Sequence, residues 1–157
     1  MLKLVPLRES DVQLAMACLT DAKEWSPKTD TFVPPGAILA NPESRWYSAL
    51  EGNECIGIVG FHNLNPADAT GEMFTALAPK YRGQKLAEPL VRLQLDTGFQ
   101  SLGLRRITMT TLEGSPSAHI ADKLGIRKEG IFPAARLKNG TYPTALAYGL
   151  TRGEYYV

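Results

Sequence analysis

Cysteine and histidine side chains are scarce in this chain, and so is any surplus of one charge. Two cysteines, Cys18 and Cys55, cannot build a disulfide framework, and no CxxC or Cys/His spacing suggests zinc. Cys18 shares an apolar helical stripe with Ala15, and Cys55 enters an apolar strand, so both read as small core residues. Seventeen basic residues face sixteen acidic ones, a net charge of +1. That balance argues against a dedicated nucleic-acid surface, which shows as a large basic excess. The chain opens without a basic segment followed by a long apolar run, so no signal peptide is expected. No stretch approaches the ~20 apolar residues of a membrane helix. The expected setting is cytoplasmic, with neither nucleic acid nor membrane as partner and no metal.

What is present fits one domain over 1–157. A chain of 157 residues and 17.2 kDa can hide roughly 70% of its unfolded surface. Leu2, Leu4 and Leu7 read as a strand. Ser10, with Gln13 three residues on, reads as a capping box opening a helix whose buried stripe is Leu14, Ala15, Cys18 and Leu19. Residues 26–42 carry Pro27, Pro34, Pro35, Gly36 and Pro42. That density predicts loop with at most one short turn, and long loops are often functional. Strands are expected over 45–51 and 54–62 around the turn residues Gly52-Asn53, and over 72–78, stopped by Pro79. Leu86, Leu90 and Leu93 recur at helical spacing, and Gly103 suits the left-handed position past that helix. A helix start near Leu86 leaves Pro89 in the first turn, where it removes no intrahelical bond, whereas a start at Gly83 would make Pro89 a kink; the later start is expected. A strand over 106–112 precedes Ser115-Pro116, an N-cap with proline at the first helical position. Strands over 126–137 and 142–150 flank Asn139-Gly140, a hairpin signal.

The stretch that carries chemistry is TALAPKYRGQKLAEPL, residues 75–90. A strand ends at a proline, a turn carries Tyr81, Arg82, Gly83, Gln84 and Lys85, and a helix begins. Such a helix start aims N–H groups and a partial positive charge at one point, which suits phosphate. The plainer reading is an ordinary turn with solvated basic residues. Neither P-loop nor GxGxxG spacing is present, which argues against a nucleoside triphosphate or NAD.

At this point the sequence resembles the GCN5-related N-acetyltransferase (GNAT) family, and within it the ribosomal-protein N-terminal acetyltransferase branch. LVPLRESD is similar to that branch's opening, RWYSALEGNECIGIVGFHNLNP to its second and third strands, and GEMFTALAPKYRGQKLAEPLV to its acetyl-CoA segment. LGLRRITM and ADKLGIRKEG are similar to the strand, helix and strand that follow. The resemblance implies an α/β (α+β) GNAT fold: a mixed, mostly antiparallel seven-stranded sheet, helices on both faces, and a splayed strand pair at its centre. It implies acetyl transfer from acetyl-CoA, as co-substrate, to a primary amine on a protein N-terminus or a small molecule, by direct attack in a ternary complex.

The family's R/Q-x-x-G-x-G/A loop falls on Arg82, Gly83, Gln84, Lys85, Leu86 and Ala87, whose N–H groups would hold the pyrophosphate. Ala76, Leu77 and Ala78 would bond the pantetheine arm, with an N–H near Leu77 polarising the thioester. Glu72 matches a glutamate that deprotonates the amine, and Ser117 a serine that protonates the thiolate. A half-exposed strand carboxylate and a helix-start serine are the plainer readings of these two. His62 falls on the branch's G-x-H-N stretch, whereas His119 reads as surface.

The sequence departs from the family pattern at five places. Lys85 replaces the loop's first glycine, a change its backbone donors survive if it holds helical φ/ψ. Gly114 replaces the N-x-x-S asparagine, Ala121 a general-acid tyrosine, Arg136 a glutamate, and Thr144 an aspartate after Tyr142. These departures open a second reading, a CoA- or partner-binding GNAT fold without catalysis, and a third is a phosphate-binding domain of other chemistry. Trp25, Phe32 and Trp46 lie near the Pro-rich segment, expected as an acceptor wall, and the C-terminal strand pair offers an edge to a homodimer partner.

Overall fold

Strand by strand, apolar residues alternate onto the two faces of a central sheet. The computed structural model describes residues 1–23, 35–135, 138 and 140–157. β1 (Leu2–Pro6), β2 (Arg45–Glu51), β3 (Glu54–Asn65), β4 (Thr70–Leu77), β5 (Arg106–Leu112), β6 (Arg127–Phe132) and β7 (Ala145–Thr151) form one seven-stranded sheet. Their order is β1-β2-β3-β4-β5-β7-β6. Every neighbouring pair is antiparallel except β4 with β5. Gly52, at φ +62, and Asn53 make the two-residue turn expected between β2 and β3.

Helices cover both faces. α1 (Val12–Lys23) and α2 (Pro35–Ala40) lie on one, where Ala15, Cys18 and Leu19 pack on Trp46 and Ile58. On the other face lie α3 (Ala87–Asp96) and α4 (Pro116–Lys123). There Val91, Leu95, Ala118 and Ala121 pack on Phe61, Met73, Ile107, Leu146 and Tyr148. Leu90, Leu95 and Phe99 are fully buried, and truncating one such side chain to alanine typically costs about 2–5 kcal/mol. Cys18 is buried as expected, and burial pushes the half-buried Cys55 thiol up. No helix among the described residues is long and apolar enough to cross a membrane.

Several local expectations are corrected. The Ser10 capping box does not form. Glu9–Asp11 make a 3-10 turn without a side-chain cap, and α1 starts at Val12. Asp11, buried, instead accepts from Arg8 Nε at 2.6 Å and Ser48 Oγ at 2.7 Å, pinning the turn to β2. α3 continues into a π-helical turn at Thr97–Ser101 before Gly103 ends it at φ +66. β6 and β7 are shorter than expected. The hairpin tip keeps a Lys138–Thr141 bridge with Gly140 at φ +78, while Asn139 lies outside the described residues. α5 (Arg152–Tyr155) follows β7 behind a Thr151–Glu154 capping box, an S/T-x-x-E signal present in the sequence but not read from it. Within the Pro-rich segment, residues 35–40 are helical; 26–34, including Phe32, and Trp25 before them lie outside the described residues.

Candidate active site

The sheet opens where its parallel pair parts. β4 and β5 are paired at Thr70–Arg106, Gly71–Ile107 and Glu72–Thr108, and no further. β4 stays paired with β3 as far as Leu77, and β5 with β7 as far as Leu112. The two strands therefore diverge from Glu72 onward, over five residues or about 17 Å of β4.

Two bonds fix which main-chain groups face the gap. Arg105 N–H donates to Ala69 O at 2.7 Å, and Ala78 N–H donates to Ile56 O at 2.8 Å. Because strand groups alternate, odd residues of β4 turn toward β5 and even ones toward β3. Thr75 and Leu77 thus direct N–H and C=O groups into the gap, while the Met73 N–H closes the last pair, Glu72–Thr108. Leu77 O accepts from Arg82 Nε at 3.2 Å across its mouth. Of the three residues expected to line a pantetheine arm, Leu77 faces the gap, while Ala76 and Ala78 face β3. Behind β4, the fully buried Gln94 of α3 donates to Gly60 O at 2.9 Å and Phe74 O at 3.0 Å, and accepts from Thr75 Oγ1. This brace was missed, although a glutamine within the Leu90–Leu95 stripe is a visible break in an apolar pattern.

At the open end the chain turns through Pro79–Tyr81 into α3. Gly83 has φ +76 and Lys85 φ +59, while Leu86, the N-cap, is right-handed. A left-handed residue before a right-handed one forms a nest that gathers successive N–H groups. The helix ladder begins only with Leu90 N–H to Leu86 O, so the N–H groups from Gly83 to Ala87 have no main-chain acceptor among the described residues. Pro89 sits in the first turn, as expected. Lys85 is not in the right-handed helical region expected of it. Its positive φ explains a glycine at this loop position, because a side chain there costs about 1–2 kcal/mol.

Charge around the loop is sorted. Lys80 pairs with Glu54 at 2.8 Å; Lys123 and Arg92 pair with Glu88 at 2.7 and 3.2 Å. Lys123 first, then Arg92, hold the Glu88 carboxyl below its usual range. Arg82 and Lys85 have no carboxylate partner among the described residues.

Glu72 lies at the vertex, its side chain 14% exposed. Asn63 Nδ2 donates to its Oε2 at 3.1 Å, and His62 Nε2 stands 3.9 Å from its Oε1. A cleft of about 160 Å³ beside it is lined by Asn63, Thr70, Gly71, Glu72, Arg106 and Thr108. Ser117 lies in the first turn of α4, just past the end of β5. The capping role belongs to Ser115, whose Oγ accepts from Ala118 N–H at 3.1 Å. Ala121 is 1% exposed within the core. Gly114 has φ +78, Thr144 O accepts from Glu113 N–H at 2.9 Å, and His119 is exposed, as expected. Arg136 lies outside the described residues. The wall beyond Arg106 was also missed, since it depends on a β6 bulge that no sequence pattern announces.

Comparison with known proteins gives a consistent picture. The model of the acetyltransferase (GNAT) family matches residues 12–126. A prophage-derived uncharacterized N-acetyltransferase of Bacillus subtilis (strain 168) is 25% identical over 118 residues, covering 74% of this chain and 67% of that protein. The spermidine N(1)-acetyltransferase of Escherichia coli (strain K12) is 27% identical over 114 residues, 72% of this chain and 61% of that protein. The matched stretch thus spans under two thirds of the Escherichia coli relative's length. The spermidine N-acetyltransferase of Vibrio cholerae, in complex with CoA and spermine, shares the fold at a TM-score of 0.83. The match covers 99% of this chain and 98% of that one at 18% identity. Where these relatives are named for an acceptor it is spermidine, not the ribosomal protein of the branch the sequence resembles.

Proposed function

The chain belongs to the acetyltransferase (GNAT) family, and from that premise we propose that it transfers the acetyl group of acetyl-CoA to a primary amine of a small polyamine-like cation. The observation that carries this reading is the parting of β4 from β5 beyond Glu72, beside the loop from Gly83 to Ala87 that gathers N–H groups ahead of α3. The acceptor class draws its support from the relatives named for spermidine. A protein N-terminus draws none from them.

Acetyl-CoA supplies a thioester-activated acetyl group; this chain's residues bind, orient and move protons around it. N–H groups of Gly83, Gln84, Lys85, Leu86 and Ala87 hold the pyrophosphate, and the uncompensated charges of Arg82 and Lys85 strengthen that hold. Thr75 and Leu77 pair with the amides of the pantetheine arm as a missing strand would, with Ala76 and Ala78 keeping the strand on β3. The Leu77 N–H donates to the carbonyl oxygen as negative charge develops there. Glu72 takes the proton that the attacking amine must lose, and the Ser117 hydroxyl offers one to the departing sulfur.

Incubation with acetyl-CoA and an amine panel, followed by free thiol release, tests the reading. We expect turnover with di- and polyamines, and Glu72→Gln should lower kcat by about 10²–10⁴. Thiol release no faster than solvent hydrolysis with every amine from pH 6 to 9 would refute it. A second reading, CoA binding without transfer, is favoured by one observation: Ala121 is sealed in the core where a tyrosine acid would stand. CoA stabilisation without turnover would select it.

A further inference from the structure

We propose that Phe74 is the specificity-determining residue of the acceptor site, an aromatic ring that receives the ammonium of the incoming amine and the methylenes behind it. The inference rests on reading the gap beyond Glu72 as the place where acetyl-CoA meets a small organic cation.

Trp46, Gly60 and Phe74 stand in one row across β2, β3 and β4, since Trp46 pairs with Gly60 and Gly60 with Phe74. Side chains directly opposite on adjacent strands have Cβ atoms about 5 Å apart, so those two strands over are about 10 Å apart. The bare Gly60 lets the Trp46 indole lie across β3 and close that distance. A Cβ on Gly60 would stand 2.7 Å from Cδ2 of Trp46 and nearer still to Cε3 and Cζ3. The indole meets Phe74 edge-to-face, with ring centroids 5.7 Å apart and planes at 65°. Trp46 is buried, and its Nε1 has no hydrogen-bond partner among the described residues. An unpaired buried donor costs stability, so packing over Gly60 and against Phe74, not a hydrogen bond, sets the indole's place.

Toward β5 the row stops at Phe74. The register that pairs Glu72 with Thr108 would set Thr110 opposite Phe74, but β4 and β5 have parted there. Phe74 is half-buried at the end of the row, on the face that carries α1 and α2. The phosphate-loop residue Leu86 packs with Leu77 and Leu90 on the opposite face, so the arm of acetyl-CoA enters the gap from the α3 side. The amine must then reach the thioester from the α1 side, past Phe74, which lies between Glu72 and Leu77 along β4. An amine of lysine-like basicity arrives as an ammonium at neutral pH. The negative face of an aromatic ring attracts such a cation, and its apolar body takes the adjoining methylenes.

Introducing mono-, di- and trifluorinated phenylalanine at position 74 tests this, because fluorine drains the ring's negative face with little change in size. Phe74→Leu removes the ring and keeps the apolar bulk. Two readouts apply: KM for putrescine and for acetyl-CoA, and the calorimetric dissociation constant of putrescine from CoA-loaded protein. Both putrescine constants should rise stepwise along the fluorinated series, reaching about tenfold with three fluorines, within the range of a partly desolvated cation–π contact. Phe74→Leu should match the trifluorinated protein, and the acetyl-CoA KM should stay level throughout. A ring that merely packs would give a flat series, since each member fills nearly the same space. A flat series, or putrescine that does not bind CoA-loaded wild-type protein, overturns the proposal. If the series is graded in binding but no thiol is released, the acetyl-transfer reading falls and this one stands. If thiol is released with a putrescine KM that fluorination does not move, the reverse holds.

Discussion

Lys85 shows how one side chain can be misjudged from sequence and still leave the larger reading intact. Its place in the phosphate loop is legible, because Arg82-Gly83-Gln84-Lys85-Leu86-Ala87 follows a strand and opens a helix. Its conformation is not, because φ is set by how Gly83 and Leu86 orient the turn. A left-handed lysine stores strain that glycine would release. Lys85→Gly should raise stability by about 1 kcal/mol despite glycine's larger unfolded-state entropy, read as a higher urea midpoint. The same variant should bind CoA more weakly, since an uncompensated cation is lost. Gln94 is the opposite case, a polar residue whose burial is the point. Gln94→Leu should cost about 1–3 kcal/mol by stripping Thr75, Gly60 and Phe74 of a buried partner, read from urea unfolding. Ser10 and Gln13 satisfied the local rule for a capping box, yet Asp11 found Arg8 three residues before it and Ser48 37 residues away, and no local rule contains the second contact.

The β6–β7 ribbon is where expectation and structure differ most. Apolar alternation and Asn139-Gly140 identified a hairpin, but neither fixed its register or its bulge, because one inserted residue leaves the apolar pattern almost unchanged. The bulge gives this element a pH signature, because its extra residue, Glu129, lies over Gly149 and accepts both terminal nitrogens of Arg106. Glu129 binds its proton more weakly in the folded chain than in the unfolded one, about 2 against 4.5. Its contribution to stability is therefore complete above about pH 5 and fades as pH falls toward 2. Wild-type protein should exceed Glu129→Gln in unfolding free energy at pH 7, and the gap should close by pH 2 to 3 in urea titrations. Gly149→Ala should reproduce the neutral-pH loss without altering any charge, because its Cβ evicts the carboxylate.

The whole-molecule order of elements was readable because each strand and most helices carry their own period and punctuation. The splay could be expected only through the family resemblance. It lies in the register between Gly71 and Ile107, residues 36 apart in sequence, and no local signal reports a pairing that stops after three residues. Titration with CoA tests the assembly at this scale. A hundredfold excess over the dissociation constant should stabilise the fold by about 2.7 kcal/mol, measured as a rise in Tm that Arg82→Ala diminishes. The gap also divides the sheet into two antiparallel blocks, β1 to β4 and β5 to β6, joined at their centre by three residue pairs. The amides of Thr75 and Leu77 belong to a central strand and yet have no strand beside them, among the described residues, to shield them. In deuterated water these two should exchange as quickly as those of a sheet edge, then slow sharply once the nucleotide's peptide-like arm lies alongside.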